Sequence, residues 1–163
     1  MKVIIINGPN LNLIGVREPH LYGKIKFEDF LSKIRNKYEK LKIHYFQSNI
    51  EGELINKIHE VGFSYDYIII NAGAYSHTSV AISDAISSVE TPCIEVHITH
   101  PSSREDYRHI SIISKSCTSS VTGFGLNLSL IHISEPTRQA EISFGVVWLK
   151  KKGGGGGGGG GGG

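Results

Sequence analysis

The sequence predicts an α/β fold in which one parallel sheet carries helices on both faces. Three observations point to it. Continuous runs of β-branched residues, KVIIIN at Lys2–Asn7 and YDYIIIN at residues 65–71, read as strands buried on both sides. Segments with apolar residues at helical spacing alternate with them. The 163 residues hold no internal repeat and no linker between folded units, so about one domain is expected.

The elements follow in order. Lys2–Asn7 is a strand ended by Gly8-Pro9. Residues 27–41 set Phe27, Phe30, Leu31, Ile34, Tyr38 and Leu41 on one helical face, with charges between them. Residues 43–46 form a short strand, and Glu51–Val61 a helix that aligns Leu54, Ile55, Ile58 and Val61. Residues 65–71 repeat the form of the first strand. Residues 77–89 place Val80, Ala81, Ala85, Ile86 and Val89 at helical spacing. Residues 92–98 (PCIEVHI) read as a fourth strand, with Pro92 at its start, where a missing N–H does least harm. A helical turn at 104–108 and a fifth strand at 121–125 complete the pattern. The order is that of a three-layer, flavodoxin-like fold with a five-stranded parallel sheet in the order 2-1-3-4-5. Such a sheet closes with a helix after strand five. That helix would begin just past Asn127, and it is expected to be missing or replaced.

The reason lies in the C-terminal composition. Eleven of the 20 glycines form one run at 153–163, preceded by Lys150, Lys151 and Lys152. Residues 128–138 (LSLIHISEPTR) resemble, letter for letter, the translation of a transposase-type sequencing adapter, and residues 142–152 resemble its outer end. Two units are therefore expected: a domain at 1–127 and a non-native tail at 128–163. The formal charge of +2 then loses its meaning, because residues 1–127 carry 13 basic and 13 acidic side chains.

Composition excludes a collagen, a mucin stalk, an acidic disordered tail and a polybasic nucleic-acid arm. No apolar run is long enough to span a bilayer, and Val3, Ile4, Ile5 and Ile6 are too few for a signal-peptide core. Neither a nucleic-acid nor a membrane partner is expected. The two cysteines, Cys93 and Cys117, form no CxxC pair; a reducing, cytoplasmic compartment fits them better than a disulfide framework.

In an open parallel sheet, ligands bind beyond the carboxyl ends of the strands, where strand order reverses. Here that crevice lies between strands one and three. The topology brings Asn10, Arg17, Tyr22, Asn71, His77, His97 and Arg108 to one rim. Each has a plain structural alternative. Asn10 and Asn71 could be turn formers, Ser76 a helix N-cap followed by His77, His97 a core histidine, Arg17 and Arg108 surface ion pairs, and Tyr22 packing. Glu95, inside an apolar strand, would be costly to bury unpaired and is expected to orient a neighbour. The histidines lack metal-ligand spacing, and no GxGxxG or Walker A sequence appears. One tyrosine, histidines, amides and arginines suit proton abstraction beside a carbonyl on an anionic substrate.

Three blocks, INGPNLNLIGVREPHLYG, INAGAYSHTSVAISDAI and IEVHITH with REDYRH, closely resemble type II 3-dehydroquinate dehydratases in order and spacing, from Lys2 to about Asn127. The resemblance implies dehydration of 3-dehydroquinate by trans elimination through an enolate, in the shikimate pathway and without cofactor or metal. It implies Tyr22 as the base, ionised with the help of Arg17; Asn10 on the enolate through an ordered water; and His97 as the acid, with Glu95 supporting a site group. Asn71, His77, Ile98, Thr99 and Arg108 match the substrate-binding set, and Asp84 matches a residue that reaches a neighbouring subunit's site in trimer-based dodecamers. The chain departs from the family at Thr99-His100, where HISN is usual after strand four, and at Ile110, where a second histidine is common. A flavodoxin-like binding module without catalysis is the alternative, disfavoured by the missing phosphate loop. A non-catalytic assembly protein, for which Tyr22 and His97 would be dispensable, is a further one.

Overall fold

The structure, a computed structural model, describes residues 1–16, 26–99 and 105–123. Five strands form one sheet in the order β2-β1-β3-β4-β5, and every neighbouring pair is parallel. They are β1 (Lys2–Asn7), β2 (Lys42–Gln47), β3 (Tyr67–Asn71), β4 (Cys93–His97) and β5 (Ser119–Thr122). Three α-helices, α1 (Phe27–Lys37), α2 (Glu51–Val61) and α3 (Val80–Ser87), cover the two faces. This is the flavodoxin-like arrangement expected. The closing helix and the tail fall outside the described residues.

The side-chain period of two divides each strand between two cores. Val3, Ile5, Ile69, Ile94 and Val96 meet Phe27, Phe30, Leu31 and Ile34 of α1. Ile4, Ile6, Ile68 and Ile70 meet Leu54, Ile58 and Val61 of α2 and Ile82, Ala85 and Ile86 of α3. Ile6, Ile34, Leu54, Ile58, Ile68, Ile70 and Ile82 are wholly buried. Burial on this scale contributes roughly 1.5–3 kcal/mol for each such side chain before conformational entropy is counted.

Helix α1 is shorter than its apolar spacing suggests. Tyr38 leaves helical geometry, and the Leu41 N–H turns back to the Tyr38 carbonyl. Tyr38 and Leu41 still pack on the α1 core, so the periodicity outlasts the helix. Glu28 and Asp29 in its first turn, and Arg35 and Lys37 in its last, complement the helix dipole. Arg35 also donates twice to the Ile43 carbonyl on edge strand β2.

The helix expected at 77–89 begins only at Val80. Ser79, not Ser76, is its N-cap, accepting the Ile82 N–H at 2.8 Å. Residues Gly73–His77 form a 3-10 turn instead. The turn expected at 104–108 is Asp106–Arg108, and the fifth strand starts two residues earlier than its sequence pattern suggests. A 3-10 turn at Ile113–Lys115 was not anticipated. The cysteines, isolated in sequence, meet in space: both are free thiols, with sulfurs 3.9 Å apart. The hydrogen bond from Cys117 and burial together push the Cys93 thiol well up.

Candidate active site

The carboxyl ends of the strands set the floor of the site. Asn7 of β1 lies in register between Gln47 of β2 and Asn71 of β3. The exits of β1 and β3 are pressed together. Gly8 donates its N–H to the Asn71 carbonyl at 2.7 Å, and a Cβ on Gly8 would stand 2.4 Å from the Ala72 carbonyl oxygen. Only glycine permits that approach. Asn71 is buried, and its Oδ1 accepts the Gly73 N–H at 3.2 Å, an Asx-type turn that starts the path to His77.

Strand β4 contributes a carboxylate and an imidazole. Alternation puts Cys93, Glu95 and His97 on one face and Ile94 and Val96 on the other. The face that carries Ile68 and Ile70 on β3 thus carries a carboxylate and an imidazole on β4. Glu95 is fully buried. The His97 Nε2 stands 2.8 Å from its Oε1, within ion-pair reach but off a straight hydrogen-bond line. Ser111 donates its hydroxyl to the same Oε1 at 2.6 Å, and Ser120 donates to Oε2 at 2.8 Å. Burial alone would raise the Glu95 carboxyl, but His97, Ser111 and Ser120 outweigh it and hold it below its usual value. The charge that was expected to need a partner therefore has three.

His77 joins this group from the turn after β3. Its ring stacks on that of His97, with centroids 5.9 Å apart at 28°. Its Nδ1 donates to the Ile110 carbonyl at 2.7 Å, because a carbonyl can only accept. That bond fixes the tautomer and leaves Nε2 to act. His97 is a buried histidine, as its structural alternative has it, yet its partner is a carboxylate rather than a core carbonyl.

The other expected site residues divide. Ile98 is buried in the α1 core, and Thr99, half-buried, follows it. Arg108 sits in the turn beside Gly73–His77, paired with Glu105 at 2.9 Å and lying over the Tyr107 ring. Burial would lower its guanidinium, but Tyr107 and Glu105 raise it. Asn10 has a left-handed backbone (φ 66°), and its N–H is held by Asn49 Oδ1 at 3.0 Å, so its turn-forming role is realised. Asp84 is exposed on α3. Arg17 and Tyr22, like Arg104 and the departure at His100, lie outside the described residues. Among the described residues, no group of three His, Cys, Asp or Glu side chains could hold a metal ion, and no helix is long and apolar enough to cross a membrane.

Sequence reasoning missed Ser111, Ser120 and the Ile110 carbonyl. The first two are ordinary serines in sequence, and only the lone glutamate in an apolar strand hinted that donors had to exist. Ile110, noted as a departure, acts through its backbone, which any residue supplies.

A family model described as dehydroquinase class II matches residues 1–135. A 3-dehydroquinate dehydratase of Caldicellulosiruptor bescii is 50% identical over 133 residues, which cover 80% of this chain and 92% of that protein. One from Campylobacter lari is 50% identical over 127 residues, 77% of this chain and 79% of that protein. A type II dehydroquinase structure from Butyrivibrio crossotus aligns with a TM-score of 0.78 at 42% identity, covering 82% of this chain and 95% of that one. Another, from Propionibacterium acnes, aligns at 0.76 and 33% identity, covering 82% and 93%.

Proposed function

The chain belongs to the class II dehydroquinase family and dehydrates 3-dehydroquinate, and we propose that His97, held by Glu95, is the acid of that reaction. The reaction is a step of the shikimate pathway. Elimination of water needs a base to take a proton beside the ketone, charge stabilisation for the enolate, and an acid to protonate the departing hydroxyl. The observation that carries the assignment is the buried Glu95–His97 pair stacked against His77 at the sheet's carboxyl edge.

In this reading Tyr22 takes the proton from carbon. A phenol with a pKa near 10 needs the nearby positive charge of Arg17 to ionise. The electron pair moves into the enolate, which Asn10 stabilises through water. The C–O bond then breaks, and the hydroxyl leaves as water with a proton from the imidazole of His97. Asn71, His77, Ile98, Thr99 and Arg108 hold the substrate's hydroxyls and carboxylate, for which Arg108 must exchange its Glu105 partner. We further propose that Asp84 completes the site of a neighbouring copy in a trimer-based dodecamer, a role its exposed position on α3 allows. A cytoplasmic location accords with two free thiols.

The decisive experiment follows formation of the conjugated enone product by near-ultraviolet absorbance. Turnover that disappears in Tyr22→Phe and in His97→Ala is expected; full activity in Tyr22→Phe would sink the mechanism. The division into a domain at 1–127 and a tail at 128–163 is likewise a proposal, supported by the adapter-like residues 128–138, although the family match runs on to residue 135. Resequencing the gene across codon 127 tests it: adapter codons support the boundary, and a continuous native helix overturns it.

A further inference from the structure

We propose that Ser111 is a positioning residue, whose hydroxyl holds Glu95 as a carboxylate aimed at His97. The inference rests on the dehydratase reading for its catalytic consequence, but not for its geometry. Glu95 is fully buried, and among the described residues its Oε1 is shared by the His97 ring and the Ser111 hydroxyl at 2.6 Å. Ser111 has one hydroxyl proton. Two acceptors lie in reach, Glu95 Oε1 at 2.6 Å and the Ser76 carbonyl at 3.4 Å, and the shorter, charge-assisted contact takes the proton. The lone-pair side of the Ser111 hydroxyl oxygen accepts the Ser114 N–H at 3.2 Å, which orients the hydroxyl from behind. The Ser114 hydroxyl returns to the Ser111 carbonyl at 2.9 Å, locking the backbone at this position. The serine is thus fixed on both sides, and donation to the carboxylate is the shortest hydrogen bond its hydroxyl makes.

Its neighbour completes the device. The Ile110 carbonyl holds Nδ1 of His77, whose ring stacks on His97. Two consecutive residues therefore fix both imidazoles, one through a backbone oxygen and the other through Glu95. The loop itself is tied down, since the Ile112 N–H donates to the Ser76 carbonyl at 2.7 Å. Ser120, on edge strand β5, stands in register beside Glu95 and holds the other oxygen, but it is exposed, so water can take its place. Ser111 is half-buried and so less open to replacement by water.

The titratable groups around Glu95 are His97 on its own strand, His77 stacked on His97, Cys93 on the same face with Cys117 against it, and Arg108 and His109 on the loop that carries Ser111. Loss of one hydroxyl donor to a buried carboxylate raises its titration midpoint by about one unit, with the charged partners unchanged. Activity that depends on ionised Glu95 then fails at higher pH on its acid limb.

The test compares the full-length chain with Ser111→Ala and Ser111→Thr, with folding checked by circular dichroism. Carbon-13 NMR of the Glu95 carboxyl gives its midpoint, and turnover of 3-dehydroquinate gives the acid limb and kcat. Ser111→Ala should raise the midpoint by about one unit and lower kcat about tenfold with KM little changed, and Ser111→Thr, which keeps the hydroxyl, should restore both. If Ser111→Ala does not fold, Ser111→Cys, a weaker donor of similar volume, is read the same way. An unchanged midpoint, or a threonine variant no better than the alanine one, overturns the proposal. A wild-type chain without turnover overturns the dehydratase reading instead, while the carboxyl midpoint still decides the part played by Ser111.

Discussion

Nε2 of His97 lies 2.8 Å from Oε1 of Glu95, two residues earlier on the same strand, and the carboxylate is wholly shielded from solvent. A parallel strand buried on both faces rarely tolerates such a pair. Here the cost is offset by two serine hydroxyls and by the position of His97 at the strand's open end.

Glu95→Gln should destabilise the protein by about 3 kcal/mol at neutral pH, because it removes one member of a buried pair. The folded Glu95 carboxyl is held below its unfolded value. Its contribution is therefore complete above the ordinary carboxylate range and is lost as pH falls through the lower, folded value. Thermal melts from pH 7 to pH 3 should show the gap between wild type and Glu95→Gln narrowing on acidification. A gap independent of pH would contradict the linkage.

His77→Ala removes a ring that stacks on His97 and donates to Ile110. Half-buried in a turn, it contributes little to the core. We expect stability to change by less than about 1 kcal/mol and kcat/KM to fall by roughly tenfold or more. Steady-state kinetics beside a urea titration separates the two effects.

Gly8→Ala places a methyl against the Ala72 backbone, which has no side chain to rotate away. The β1 and β3 exits must part, at a cost of about 2–4 kcal/mol. Denaturant midpoints measure the loss. Gly52→Ala is the control, since a Cβ there meets nothing within 4 Å; in the exposed first turn of α2 it should be neutral or stabilising.

Arg108 donates to Glu105 across an exposed pair that is worth little to the fold. Arg108→Ala should leave the melting temperature nearly unchanged and raise KM about tenfold, as expected if the guanidinium binds the substrate's carboxylate. Glu105→Gln removes the charge partner, while the Tyr107 hydroxyl still accepts from Arg108 at 3.3 Å, and should lower KM or leave it unchanged. A rise in KM in both variants would assign the pair a structural role.

The sequence made the layers legible because a buried parallel strand and an amphipathic helix each impose a period on their residues. Ile4, Ile5 and Ile6 announced a strand, and Phe27, Phe30 and Ile34 a helix. Helix ends were less legible. Tyr38 and Leu41 keep the helical spacing while sitting in a turn, since burial asks only that they reach the core. Ser76 and Ser79 are both plausible caps, and the choice fell to the 3-10 turn that brings His77 toward His97.

Sequence alone determined the sheet order, the carboxyl edge at which His77 and His97 meet, and the need for a partner to Glu95. Those follow from periodicity, a topological rule and the cost of burying charge, all local or general properties. Only the tertiary structure decided who the partners are. Ser111 and Ser120 lie 16 and 25 residues beyond Glu95, and Ile110 lies 33 residues beyond His77. Hydrogen bonds over such separations depend on the angle at which packed elements meet, and no pattern along the chain encodes an angle.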